Sequence, residues 1–157
     1  MKINATITSI THEDLVSLLS TATYGSSWLS VWYGKNYYID HFYDDKDCVE
    51  DRWVKMLLNG QTITLLDNYA ENEEDCHGGN CHAYWDEEDE LMCYTISLED
   101  VKKGLENIIN GRVHCDEDET AWLRQCLLNL ISNNGDLDLG QAENIMQVIM
   151  FNEVIYG

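Results

Sequence analysis

The stretch Leu91-Met92-Cys93-Tyr94-Thr95-Ile96-Ser97-Leu98-Glu99-Asp100-Val101 changes character half-way. Up to Ile96 it has the apolar and aromatic composition of a strand. Ser97 followed by Asp100 then has the spacing of a helix-opening pair, and Val101, Leu105, Ile108 and Ile109 recur at helical spacing until Asn110-Gly111 closes the segment. A short strand that hands over to a capped amphipathic helix is a unit of an α+β fold, and the same alternation can be read outward in both directions.

Toward the amino terminus, Thr62-Ile63-Thr64-Leu65-Leu66 reads as a strand. It is preceded by a helix carrying Val49, Trp53, Met56 and Leu57, capped by Asp47 and ended by Gly60. Ser27 to Tyr38 is rich in Trp and Tyr and predicts extended structure with a turn at Gly34-Lys35-Asn36. Thr11 and Asp14 form a capping pair, with Asp in place of the usual Glu, for a helix that turns Leu15, Leu18, Leu19 and Ala22 inward and stops near Tyr24-Gly25. Ile3, Ala5 and Ile7 alternate with polar residues as a first strand.

Toward the carboxyl terminus, Asp116 to Glu119 suits the positive end of a helix dipole. Behind it Trp122, Leu123, Cys126, Leu127, Leu130 and Ile131 share one helical spacing. A last helix is expected over about Leu139 to Phe151, through Ala142, Ile145, Met146 and Ile149. The sum is one domain with a small, mainly antiparallel sheet of three to four strands packed with four to five helices. Residues 68–90 interrupt the pattern, being polar, acidic and glycine-containing, and read as a long loop or hairpin arm.

Composition bounds what such a domain can do. The chain has 157 residues, 45% of them hydrophobic, with five Trp and nine Tyr, which is too much apolar material for a disordered acidic tail. Twenty-nine Asp and Glu stand against nine Lys and Arg, giving a formal charge of −20. That surface repels nucleic acid and anionic lipid and attracts cations or basic protein grooves. The first residues lack the charged region and apolar run of a signal peptide, so the chain is read as cytoplasmic and its six Cys as reduced thiols, buried small apolar groups or metal ligands.

The charge is not evenly spread. Between Lys55 and Lys102 there is no Lys or Arg, while 12 acids occur: Asp67, Glu71, Glu73, Glu74, Asp75, Asp86, Glu87, Glu88, Asp89, Glu90, Glu99 and Asp100. Carboxylates on an ordered scaffold can imitate the charge line of a duplex, about one charge per 1.7 Å of axis, and occupy a channel built for phosphates. Tyr69, Tyr84 and Trp85 are the aromatics placed to anchor such a contact. The plainer reading is a solvated loop that keeps the protein soluble.

The same region holds Cys76-His77-Gly78-Gly79-Asn80-Cys81-His82, two thiols and two imidazoles around a glycine turn, which makes Cys76, His77, Cys81 and His82 a candidate zinc set. The spacing matches no two-pair zinc signature. Asn134-Gly135-Asp136-Leu137-Asp138 begins like a calcium loop, but Leu139 stands where glycine is needed and Ile145 where the bidentate acid is needed. Glycine-rich phosphate loops, serine elbows, paired-His protease helices and dinucleotide fingerprints are missing, so no enzyme is expected.

Four segments carry a resemblance: Ile10 to Leu19 with Tyr24-Gly25-Ser26, Glu50-Asp51 to Gly60, Cys93 to Val101, and Asn144 to Gly157. Through them the chain resembles small acidic proteins encoded by phages and prophages of gut Firmicutes, some of which are anti-CRISPR proteins. The resemblance implies a non-enzymatic inhibitor that meets the Arg- and Lys-lined DNA channel of a CRISPR effector nuclease or its guide complex. Glu71, Glu73, Glu74, Asp75, Tyr84, Trp85, Asp86, Glu87, Glu88, Asp89 and Glu90 are the expected contact residues. The alternatives are a zinc-binding module organised by Cys76 to His82, and a phage assembly protein that self-associates through residues 28–43.

Overall fold

The computed structural model describes residues 10–32, 49–132 and 137–157. The expected strand through Ile3 to Ile7, the Gly34 to Asn36 turn, the Asp47 cap and the Asn134 to Asp136 turn lie outside the described residues.

Helix α1 spans His12–Thr23, and its start is fixed reciprocally. The Asp14 amide donates to Thr11 Oγ1 at 3.1 Å, and the Thr11 amide donates to Asp14 Oδ2 at 3.0 Å. This satisfies donors that would otherwise be orphaned in the first turn. Leu15, Leu18, Leu19 and Ala22 are buried along the inward stripe, as their spacing requires. Strand β1 is Leu29–Val31. Helix α2 spans Val49–Leu58 and buries Trp53, Val54, Met56 and Leu57.

Strands β2 (Ile63–Asp67), β3 (His82–Asp86) and β4 (Leu91–Ile96) complete a four-stranded sheet of order β1-β2-β4-β3, with every pairing antiparallel. Helix α3, Leu98–Asn110, follows β4 after the single cap residue Ser97 and ends on Gly111 at φ +68°, the left-handed stop that Asn110-Gly111 predicts. Helix α4 spans Glu117–Ile131 behind the Asp116 cap. Helix α5 spans Leu139–Phe151, with an Asp138–Gln141 capping box at one end and Asn152 in the left-handed conformation at the other.

Helix α5 is the centre of the helical layer, packing against α1, α3 and α4. All seven residues from Ile145 to Phe151 are buried, because neighbours surround the helix on several sides. At Gly104 the backbones of α3 and α5 come close enough that a Cβ would lie 2.8 Å from the Ile149 Cα. Among the described residues one apolar cluster joins all five helices and the inner face of the sheet. Each fully buried Leu, Ile or Met in it is worth about 1.5–3 kcal/mol relative to exposure.

Strand parity divides the sheet. Leu29, Val31, Ile63, Leu65, Asp67, Met92, Tyr94 and Ile96 share the inner face with Ala83 and Trp85, while His82, Tyr84 and Asp86 share the other face with Cys93 and Leu66. Trp122 departs from expectation. It is 47% exposed, and the buried stripe of α4 is Leu123, Cys126, Leu127 and Leu130 alone. Trp122 sits one residue before that stripe, about 100° around the helix.

Candidate functional site

Register places the exit from β2 and the β3–β4 turn, which border the two halves of the acidic segment, at one end of the sheet. Leu29 pairs with Asp67, Asp67 with Met92, and Met92 with Trp85. The chain therefore leaves β2 at the same end where the β3–β4 hairpin turns through residues 87–90.

The segment expected as a loop or hairpin arm is built into the fold. Its second half is strand β3 and the turn. Its first half is held at several points against the core. The His77 amide donates to the Tyr94 hydroxyl at 3.1 Å, Asn80 Nδ2 to the Val148 carbonyl at 3.4 Å, and the Cys81 thiol to the Met150 carbonyl at 3.5 Å. Gly79, at φ +136°, lies flush on the end of α5, where a Cβ would meet the Met150 carbonyl oxygen at 2.3 Å.

Asp67 is the anchor beneath the loop. Counted in the sequence as one more surface acid, it is 2% exposed. Its Oδ1 accepts from the Tyr69 amide at 3.0 Å and its Oδ2 from the Tyr156 hydroxyl at 2.6 Å. His77 Nε2 lies 2.9 Å from the same Tyr156 oxygen and 3.9 Å from Asp67 Oδ2. With the phenol donating to Asp67, the His77 ring donates to the phenol oxygen. Burial, and then the hydrogen bond to Asp67, push the Tyr156 phenol above its ordinary range, so it remains a donor. Burial raises Tyr94 in the same direction. Tyr156 also packs against Trp28 and, edge-on, against Tyr69, with centroids 5.0 and 5.2 Å apart.

The remaining acids divide by role. Asp75 Oδ2 accepts from the amides of Glu71 at 2.7 Å and Asn72 at 3.3 Å, and Asn72 caps the 3-10 turn Glu73–Asp75. Asp86 Oδ1 accepts from the amides of Glu88 and Asp89 at 3.0 and 3.1 Å and closes the hairpin turn, in which Glu90 takes φ +54°. These two carboxylates set the backbone. Glu71, Glu73, Glu74, Glu87, Glu88, Asp89 and Glu90 are exposed, and among the described residues none of these seven has a Lys, Arg or His partner.

The aromatic anchors also separate. Tyr69 is 50% and Tyr84 38% exposed, whereas Trp85 is half-buried against the core. Most of the 28–43 segment lies outside the described residues, and Trp28 within it is buried, with its indole nitrogen donating to Glu143 at 2.5 Å.

The zinc set does not assemble. Cys76 is exposed, His77 is turned to Tyr156, Cys81 is turned to α5, and His82 stacks on Tyr84 with centroids 5.8 Å apart. Adjacent Cys-His pairs project apart along the backbone, so glycine flexibility does not bring all four together. Burial, and then the Asp100 charge, push the Cys81 thiol up to about 12. Among the described residues no three His, Cys, Asp or Glu side chains gather where an ion can be held.

Sequence reading missed the Asp67–Tyr156–His77 network. Its two ends are 89 residues apart, and the one signal for it is parity, since Asp67 continues the inward row of Ile63 and Leu65. Among the described residues no helix is long and apolar enough to cross a membrane. In comparisons with protein-family models, curated proteins and solved structures, nothing matches the chain.

Proposed function

We propose that the protein is a non-enzymatic inhibitor that binds a basic nucleic-acid-binding protein surface in place of phosphates. The observation that carries this reading is the set of seven exposed carboxylates, without a Lys, Arg or His partner among the described residues, on the ordered segment between β2 and β4. Like charges so placed repel one another at ordinary ionic strength, where the screening length is about 8 Å, and a basic partner relieves that repulsion. Anchoring the loop through His77, Gly79 and Cys81 supports the same reading. Ordering a free loop on binding costs about 1–2 kcal/mol per residue, and here folding has already met that cost.

The resemblance to acidic phage and prophage proteins supplies the class of partner, a CRISPR effector nuclease whose DNA channel is lined with Arg and Lys. Glu71, Glu73, Glu74 and Glu87 to Glu90 serve as the phosphate-like row, with Tyr69 and Tyr84 at its margins. The test is co-purification of the tagged chain with guide-loaded effector nucleases, followed by cleavage assays. Stoichiometric capture with loss of target cleavage is expected. Capture of none of them removes this partner class.

A further inference from the structure

Strand β3 is the outermost strand of the sheet on its side, and β4 is its sole neighbour among the described residues. Its register runs from His82 opposite Thr95 to Asp86 opposite Leu91 without a skipped residue, so no bulge twists the edge away. The sequence His82-Ala83-Tyr84-Trp85-Asp86 contains neither Pro nor Lys, the usual guards of an exposed edge. No backbone hydrogen bond from these five residues to a loop or turn occurs among the described residues. Alternate residues of an antiparallel edge turn their amide and carbonyl outward, so about two or three residues here offer both groups to solvent.

What surrounds the edge selects its occupant. Asp86 and Glu87 to Glu90 lie at one end, and beyond the other end Asn80 shares a cavity with Lys102, Lys103 and Arg112 alongside Glu99, Asp100 and Glu106, so the acidic end is where a basic segment is selected. On the face it shares with buried Cys93 and Leu66, Tyr84 is 38% exposed and stacked on His82, presenting a ring beside which a basic side chain of an added strand would lie. A second copy of this chain is a poor occupant, because each copy carries a formal charge of −20.

We propose that the β3 edge, His82 to Asp86, accepts an extended basic segment of the partner protein as an added strand, with backbone hydrogen bonds giving the grip and the 86–90 acids giving the choice of a Lys- or Arg-bearing segment. The proposal rests on the reading that the partner is basic and adds how that partner is held. Strand addition reads alternate side chains, so it selects segments with basic residues two apart.

The experiment uses the full chain and two blocked peptides of one sequence alternating Lys with Val, one of them N-methylated at alternate backbone nitrogens. Charge is identical, and N-methylation removes the donors that strand addition needs. The plain peptide is expected to slow amide exchange within His82 to Asp86 by about tenfold or more and to bind about tenfold more tightly than its methylated twin. Equal binding of the two peptides without protection of β3 overturns strand addition while leaving electrostatic recognition of a basic partner intact. Binding of neither peptide at low salt overturns both. Protection of β3 that grows with protein concentration in the absence of peptide assigns the edge to a second copy and overturns the proposal, as does protection at β1 in place of β3.

Discussion

Replacing Gly79 with Ala should unseat the acidic loop, and the neighbouring Gly78 supplies the control. Both residues have positive φ, +136° and +62°, so any L side chain at either is strained. At Gly78 a Cβ enters open space, and the cost is backbone strain alone, about 1–2 kcal/mol. At Gly79 the added atom meets the Met150 carbonyl oxygen at 2.3 Å, the Phe151 Cα at 2.7 Å and the Phe151 carbonyl carbon at 2.8 Å. All three belong to the backbone of the last turn of α5, which cannot rotate aside. Backbone strain of about 1–3 kcal/mol and overpacking of about 1–3 kcal/mol add to about 2–6 kcal/mol. At roughly 2–4 °C per kcal/mol for a domain of this size, the Gly79→Ala melting point should fall by about 10 °C. Paired urea and thermal unfolding of the two variants measures the difference. If Gly79→Ala is as stable as Gly78→Ala to within about 0.5 kcal/mol, the loop is not seated on α5 and the account of an ordered acidic surface fails.

Tyr156→Phe should cost about 1–3 kcal/mol in denaturant unfolding, because it leaves the buried Asp67 carboxylate with the Tyr69 amide as its remaining short donor; an unchanged midpoint would show that the hydroxyl does not support Asp67. In the native protein Cys76, exposed in the loop, should alkylate readily near neutral pH, while Cys81, half-buried and raised to about 12, should stay unlabelled until the protein unfolds. Stability should decline in alkali. Cys81 is raised from 9.0 to about 12, and Tyr94 and Tyr156 are raised above 10.0, so the fold favours their protonated forms. That contribution is complete below the unfolded values and is lost as pH climbs toward the folded ones. The slope reaches about 1.4 kcal/mol per pH unit for each group that ionises only on unfolding. A stability curve that stays level from pH 9 to pH 11 contradicts it.

Local chemistry made most of the fold legible. Thr11 with Asp14, Ser97 with Asp100, and Gly111 each announce a helix limit through atoms within a few residues of one another, and the structure places those limits there. Helix α5 was readable over its whole length because its apolar period is unbroken. Trp122 was misplaced because it lies beside the α4 stripe, and hydrophobicity does not tell the edge of a stripe from its centre. The acidic segment was legible as charge, and its second half as a hairpin. Whether its first half lay free or against the core depended on Tyr94, Met150 and Tyr156, contacts made across 17, 69 and 79 residues of chain. The Cys76 to His82 cluster looked like a metal loop because sequence proximity of ligand types does not encode the direction in which each side chain leaves the backbone.

The central claim is that the exposed carboxylates between β2 and β4 bind a basic protein surface, and the salt slope of binding tests it most directly. Affinity for a guide-loaded CRISPR effector nuclease is measured across a range of ionic strength for the natural chain and for the variant with Glu73→Gln, Glu74→Gln, Glu87→Gln and Glu88→Gln combined. The account predicts steep weakening with salt for the natural chain, with a loss of about tenfold or more and a shallower slope for the variant. Equal affinity and equal slope for the two proteins would contradict it.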